Sequence, residues 1–75
     1  MPVIKVELWE GFNEETKREW AKELTKVTVE RLNVPLDKVT VILHENPLSN
    51  WSQAGTVATD PNFLEKSRRT EYQKA

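Results

Sequence analysis

Two short segments rich in apolar and β-branched residues flank one long amphipathic segment, and this order constrains the fold more than any other feature of the chain. In residues 3–9, Ile4, Val6 and Leu8 alternate with Lys5 and Glu7, which is the period of a strand with one buried face. Residues 39–44, VTVILH, predict a second strand. A strand–helix–strand crossover makes its two strands parallel. The sequence therefore predicts an α/β fold, specifically a single β-α-β unit with parallel strands.

The segment between the strands is predicted to be a helix from Glu14 to about Leu32. Asn13 suits the helix N-cap, and residues 33–35 end the helix because the residue before a proline is disfavoured in the helical region. The predicted buried stripe contains Trp20, Ala21, Leu24, Val27 and Leu32, and the predicted solvent side contains Lys17, Arg18, Lys22 and Glu23.

After the second strand the pattern is less regular. Residues 46–51 predict a loop, and residues 54–58 predict a short extra strand. Asp60-Pro61 predicts the N-cap and first position of a brief C-terminal helical turn through Phe63 and Leu64. The polar tail, residues 66–75, is expected to be exposed or docked on a neighbouring chain.

Size and topology both predict oligomerisation. A chain of 75 residues is one small domain whose isolated fold is marginal, and it has no cysteine for disulfides and one histidine, which excludes a structural zinc site of the usual kinds. One helix covers one face of a two-stranded parallel sheet, although such sheets normally have both faces covered. We therefore expect other copies of the chain to cover the second face and the open edges.

Charge and hydropathy exclude two classes of partner. With 11 Lys and Arg against 12 Asp and Glu, the chain has no basic excess for a phosphate backbone, so no nucleic-acid partner is expected. No apolar run approaches the roughly 20 residues that span a bilayer, so no membrane partner is expected. The first residues lack the pattern of a signal peptide, and we expect a cytoplasmic protein.

The residue that points to chemistry is Pro2, directly after Met1. Removal of Met1 would expose a secondary amine, and an α-amino group titrates near pH 8. An apolar pocket would lower its pKa further, which yields a general base at neutral pH. The alternative is that proline at the second position has no catalytic meaning, as in many chains. The sequence has no GxSxG motif and no glycine-rich phosphate loop.

Over residues 2–58 the chain resembles the tautomerase superfamily, in particular the 4-oxalocrotonate tautomerase family. The features that carry the resemblance are Met1-Pro2 before an alternating strand, Glu10-Gly11, the helix start at residues 14–17, Val34-Pro35-Leu36, Glu45, Asn50-Trp51 and Gly55. It implies one domain over residues 1–75, with a core of residues 2–58 and a C-terminal extension of residues 59–75.

The resemblance also implies an activity. Family members are hexamers built as trimers of dimers, or dimers, and act as isomerases without a cofactor. By resemblance, Pro2 is the general acid/base of a keto–enol tautomerase, Trp51 lines the pocket, and the partner is a small keto or enol carboxylate. Trp51 has an equally open reading as a core or interface aromatic.

The two arginines that the family uses for the substrate carboxylates are missing, because Phe12 and Thr40 stand at those positions. Neither side chain replaces a bidentate guanidinium, so we do not expect efficient turnover of a dicarboxylate such as 2-hydroxymuconate. Lys38, two residues before Thr40 on the predicted strand, is a candidate to bind one carboxylate, or else a solvated lysine. With Phe12 and Trp51 near Pro2, a phenylpyruvate- or hydroxydienoate-like substrate is expected.

The remaining polar and aromatic candidates have structural readings. Arg68 and Arg69 either reach a neighbour's pocket or are solvated, and His44 is expected to be a structural or interface residue. Trp9, Trp20, Phe63 and Tyr72 are expected to be packing residues.

Three other functions stay open. The proline could act as a cationic acid in a hydratase, dehalogenase or decarboxylase, with Glu10 or Glu45 activating water. The chain could be one subunit of a hetero-oligomer whose partner supplies the arginines. It could also be an oligomeric module without catalysis.

Overall fold

The computed structural model describes residues 2–71, which form two compact units divided in sequence between Glu45 and Asn46. The first carries strand β1 (Val3–Trp9), helix α1 (Glu14–Leu32), a 3₁₀ turn at Leu36–Lys38 and strand β2 (Thr40–Asn46). β1 and β2 are neighbours in a two-stranded parallel sheet. The predicted β-α-β unit is therefore confirmed, while the single domain over residues 1–75 stays a prediction.

The sheet has one covered face and one open face. α1 lies over the covered face, because its side chains line the same grooves as Val41 and Leu43. The partly buried strand side chains are Ile4, Val6 and Leu8 on β1 and Val41 and Leu43 on β2. The exposed side chains of the open face are Val3, Lys5, Glu7 and Trp9 on β1 and Thr40, Ile42 and His44 on β2. The alternation predicted for β1 is confirmed.

Both ends of α1 lie where the Asn13 cap and the proline after residues 33–34 predict them. The Asn13 side-chain oxygen accepts the backbone N–H groups of Glu15 and Thr16 at 2.7 and 3.3 Å, which satisfies two donors of the first turn. At the other end Asn33 adopts φ 53°, a left-handed conformation that asparagine tolerates, and its N–H donates to the carbonyl of Val29.

The buried stripe of α1 differs from the predicted one. Ala21 and Leu24 are partly buried as predicted, but Trp20, Val27 and Leu32 are 38%, 45% and 58% exposed. The partly buried residues of α1 are Lys17, Ala21, Leu24, Thr25, Thr28 and Val29.

Two threonines account for part of this difference. The hydroxyl groups of Thr25 and Thr28 donate to the carbonyls of Ala21 and Leu24 at 2.8 and 2.7 Å. Because these hydroxyls are satisfied within the helix, threonine can lie on the covered face without an unpaired donor.

The described chain has no closed apolar interior of its own. Among residues 2–71 no apolar side chain is fully buried, and on the open face Val3 and Ile42 are 53% and 41% exposed. A chain of this size stabilises its fold mainly by removing apolar surface from water. The open face is therefore mixed in character. Its apolar side chains Val3, Trp9 and Ile42 stay partly in solvent in the single chain.

The second unit is built on a short hairpin. β3 (Ser52–Gln53) and β4 (Thr56–Val57) pair antiparallel, with Gln53 opposite Thr56. Ala54 and Gly55 join them with φ 53° and 77°, and two positive φ values are the requirement of a type I′ turn. The extra strand predicted over residues 54–58 is confirmed as β4, but its predicted start is wrong because Ala54 and Gly55 form the turn, and alanine gives no sequence signal for a left-handed conformation.

Two further boundaries differ from the predictions. Asn46 belongs to β2, and Leu48–Asn50 form a 3₁₀ turn within the predicted loop. The last helix, α2 (Phe63–Lys66), begins after Pro61, although Asp60 still accepts the N–H of Asn62 at 2.7 Å. Of the helices within residues 2–71, none combines the length and the apolar character needed to cross a bilayer.

Candidate active site

Pro2 lies directly before β1 and is partly buried. Its carbonyl oxygen accepts a hydrogen bond of 3.1 Å from the backbone N–H of Thr40, at the start of β2. The parallel strands therefore bring Pro2 next to Thr40, which the resemblance places at one of the family's two arginine positions. Met1 lies outside the described residues, so the free amine at Pro2 stays a prediction.

The structure corrects the position of Lys38. The sequence predicts Lys38 on the second strand and on the same face as Thr40, but Lys38 ends a 3₁₀ turn and donates its backbone N–H to Pro35 at 3.1 Å. The alternation of a strand does not apply to such a turn, so it does not fix the direction of this side chain. Lys38 is exposed and precedes Thr40 by two residues, at the Pro2 end of the sheet.

Phe12 and Glu10 lie at the opposite end of β1 from Pro2. The seven residues of β1 separate the two ends, which is roughly 23 Å at about 3.3 Å per residue. Phe12 is 56% exposed and lines an apolar groove of about 310 Å³ together with Leu8, Thr16, Lys17 and Trp20. The predicted pocket with Phe12 beside Pro2 is therefore not formed within one chain.

Glu45 also belongs to the end of the sheet remote from Pro2. It lies five residues beyond Thr40 along β2, or roughly 17 Å. Its carboxylate forms an ion pair with Lys17 of α1 and accepts the backbone N–H of Gly11. The hydrogen bond from Lys17, aided by its charge and by Gly11 and opposed by partial burial, holds the pKa of Glu45 below its ordinary value of 4.5.

Three corrections follow at this end of the sheet. Lys17, predicted on the solvent side of the helix, has a side chain that is 17% exposed and bonded to Glu45. Glu45 is occupied by structural partners, and Glu10 lies beyond the same end of β1. Within one chain, neither glutamate that was considered for water activation lies at the Pro2 end.

Trp51 joins the second 3₁₀ turn to the hairpin and is partly buried. Its backbone N–H donates to Leu48 at 3.1 Å, and its carbonyl accepts the N–H of Ala58 at 2.7 Å. These bonds fix the backbone of Trp51 from both sides. Its role as a pocket wall stays a prediction.

The two tail arginines differ. Arg68 is exposed, whereas Arg69 is partly buried and donates from Nη2 to the carbonyl of Ala54 at 3.2 Å and to the hydroxyl of Thr56 at 3.1 Å. Solvation is therefore the wrong reading for Arg69. The sequence contains no signal for these contacts, because they depend on the hairpin turn at Ala54.

The remaining candidates occupy more exposed positions. Nδ1 of His44 lies 2.7 Å from Oε1 of Glu7, which joins β2 to β1 across the open face. Trp9 and Trp20 are 36% and 38% exposed, so each is partly covered within the single chain. Tyr72 lies outside the described residues. In the described part of the chain, no group of three or more His, Asp or Glu side chains could hold a metal ion.

Comparison with known proteins assigns the family. The family model described as tautomerase enzyme matches residues 2–60. The 2-hydroxymuconate tautomerase of Comamonas testosteroni is 33% identical to the chain over 60 residues, which are 80% of this chain and 95% of that protein.

Solved structures share the fold as well. A homologue of 4-oxalocrotonate tautomerase, TTHB242, superimposes with a TM-score of 0.76 at 38% identity, covering 80% of this chain and 95% of its own. A heterohexamer 4-oxalocrotonate tautomerase from Chloroflexus aurantiacus J-10-fl superimposes with a TM-score of 0.77 at 28% identity, covering 81% and 98%. The family match begins at Pro2 and includes the whole β-α-β unit, and the chain therefore belongs to the tautomerase family.

Proposed function

We propose that the chain, after removal of Met1, catalyses keto–enol tautomerisation of a small α-keto acid with the Pro2 amine as general acid and base. Membership of the tautomerase family supports this reaction class, and the family match begins at Pro2. The observation that carries the proposal is the bond between the Pro2 carbonyl and the Thr40 N–H. It places the start of the chain beside a position that the resemblance assigns to substrate binding.

The proposed reaction needs one base. The neutral amine accepts the proton of the enol hydroxyl, and the electron pair of that O–H bond becomes the second bond of the carbonyl. The electrons of the C=C bond then take a proton from the ammonium at carbon. The amine is neutral again, so atoms and charge balance without a cofactor. An apolar pocket around the freed amine would favour its neutral form at pH 7.

The expected substrate carries one carboxylate. Phe12 and Thr40 provide no cation, whereas Lys38 provides one exposed ammonium at the Pro2 end of the sheet. An ammonium binds a carboxylate as a point charge rather than through a planar fork. We therefore propose a phenylpyruvate- or hydroxydienoate-like enol rather than a dicarboxylate.

The site is proposed to be completed by other copies of the chain. Phe12 lies far from Pro2 within one chain, and the apolar side chains of the open face lack a covering layer. A homo-oligomer, either a trimer of dimers or a dimer, would cover this face and place Phe12 of one copy near Pro2 of another. Light scattering of the purified chain tests this, and a monomer at micromolar concentration contradicts it.

Replacement of the proline tests the catalytic proposal. Pro2→Ala, with loss of Met1 verified by mass spectrometry, is expected to lower kcat on phenylpyruvate enol about a hundredfold or more, the range for a general acid/base. A variant with one glycine inserted between Met1 and Pro2 converts the amine to an amide and should lose as much. Wild-type rates in both variants would refute the role of Pro2.

A second candidate is a subunit of a hetero-oligomeric tautomerase. The likeness to a heterohexamer, together with the missing arginines at Phe12 and Thr40, favours it. In that case the purified chain is weakly active and gains rate when a tautomerase subunit with both arginines is added. Full activity of the pure chain argues for the homo-oligomer.

A further inference from the structure

The C-terminal extension lies almost wholly beyond the family match, which ends at residue 60, yet the structure bonds it to the β3–β4 hairpin. Nη2 of Arg69 donates to the carbonyl of Ala54 at 3.2 Å and to Oγ1 of Thr56 at 3.1 Å. Nε of Arg69 donates to the carbonyl of Lys66 at 3.1 Å. One guanidinium therefore joins the hairpin turn, β4 and the end of α2.

The acceptor on β4 is the most deeply buried residue of the described chain. Thr56 is 5% exposed, and no other residue among 2–71 is classed as buried. A buried hydroxyl needs a hydrogen-bond partner, and Arg69 supplies a charged donor, which bonds more strongly than a neutral one. The contact is therefore part of the small interior of this unit rather than a surface pairing.

The strand pairing of the hairpin connects the residues that Arg69 contacts with the backbone of Trp51. Thr56 pairs with Gln53 across the hairpin. Two residues further along the hairpin, just beyond the ends of β3 and β4, the N–H of Ala58 donates to the carbonyl of Trp51 at 2.7 Å. Arg69 bonds to Ala54 and Thr56 and so restrains the hairpin. The pairing of this hairpin ends at the backbone of Trp51.

A second tie holds the connection between β4 and α2. Lys66 pairs with Asp60 at 3.2 Å, and Asp60 also accepts the N–H of Asn62. The bond from Asn62, followed by that from Lys66, lowers the pKa of Asp60. The extension therefore carries an internal ion pair between Asp60, which precedes α2, and Lys66, the last residue of α2, and Arg69 is the side chain that reaches the hairpin.

We propose that Arg69 is a positioning residue, which ties the C-terminal extension to the β3–β4 hairpin and thereby holds Trp51 in place as a wall of the substrate pocket. The tie itself rests on the contacts of Arg69 with Ala54 and Thr56. Its consequence for catalysis rests on the proposed function. The two parts call for separate measurements.

Amide hydrogen exchange of the full-length protein tests the tie. Loss of a charged hydrogen-bond donor should raise exchange in peptides covering residues 51–58 of Arg69→Gln by about tenfold or more, with unchanged exchange in α1. Arg68→Gln removes the same charge from the neighbouring exposed side chain and should leave the hairpin unchanged. Arg69→Lys, which lacks the planar fork, should fall between them.

A fourth variant keeps the test decisive if Arg69→Gln does not fold. Thr56→Val removes only the hydroxyl acceptor and keeps the shape of the side chain, so hairpin exchange should rise by a smaller factor. Equal hairpin exchange in the Arg69→Gln and Arg68→Gln proteins, or an unchanged hairpin in Thr56→Val, overturns the tie.

Kinetics with the phenylpyruvate enol test the positioning role. Arg69→Gln should raise KM several-fold and leave kcat and its pH dependence near wild type, because a displaced wall weakens binding without changing the base. Faster hairpin exchange with a wild-type KM overturns this role. If the wild-type chain does not turn over the enol, the proposed function fails, while the exchange result still decides whether Arg69 holds the hairpin.

Discussion

The two ends of the β1–β2 sheet use charge differently. At the carboxyl end, Lys17 and Glu45 form an ion pair, and Gly11 adds a backbone hydrogen bond to the same carboxylate. At the amino end, Lys38 is exposed beside Thr40 and enters no ion pair with any residue of the range 2–71. A charge with a partner in its own chain stabilises the fold, whereas the exposed charge of Lys38 is available to a ligand.

Replacing each of the two lysines by glutamine, in separate variants, is expected to give the largest effects that test this difference. Lys38→Gln should raise KM for the phenylpyruvate enol about tenfold, since it removes a charged partner of the carboxylate, and should leave thermal stability unchanged. Lys17→Gln should lower the melting temperature and leave KM unchanged. Steady-state kinetics and thermal unfolding of both variants provide the measurements.

Either of two results would contradict the assigned difference between Lys38 and Lys17. A normal KM for Lys38→Gln would show that the amino-end charge is only solvated. An altered KM for Lys17→Gln at unchanged stability would place the carboxyl-end lysine in the site.

The first unit was more predictable than the second, for local reasons. The alternation predicts β1, and the Asn13 cap predicts where α1 begins. Both signals act within a few residues. In the hairpin, the positive φ of Ala54 has no sequence signal, so the sequence predicts the turn as part of a strand and does not predict β3.

Contacts between residues that are distant in the chain limit how much of the site the sequence predicts. The helix pattern alone predicts that Lys17 faces solvent, because its partner Glu45 lies 28 positions away in the sequence. The partners of Arg69 depend on the same unpredicted turn. Pro2 was identified from its position in the chain and from resemblance, which need no tertiary contact.

Substitution of Gly11 tests the carboxyl end through its backbone. Gly11 has φ 110°, and an added Cβ meets no atom within 4 Å, so Gly11→Ala adds backbone strain without a clash. The free energy of unfolding should fall by about 1–2 kcal/mol, with KM unchanged. Denaturant unfolding checks this against Lys26→Ala, an exposed helix control expected within about 0.5 kcal/mol of wild type. Equal stability of the two variants would contradict the assigned strain.

The smallest expected effect concerns acid stability. Lys17 lowers the pKa of Glu45, so the ionised carboxylate stabilises the fold above its ordinary pKa of 4.5, and this contribution is lost as pH falls through the lowered value. Glu45→Gln should therefore show a shallower loss of stability below that pH. Glu30→Gln controls for removal of one carboxylate. A wild-type slope in Glu45→Gln would show that the pair contributes nothing.

The most direct test of the central claim is the pH dependence of kcat/KM on phenylpyruvate enol, measured with chain from which Met1 is verifiably removed. A base formed by the Pro2 amine predicts a rate that rises with pH through an apparent pKa near or below 7, and a shifted limb in Pro2→Ala. A flat profile between about pH 5 and 9, or the same limb in both proteins, would contradict it.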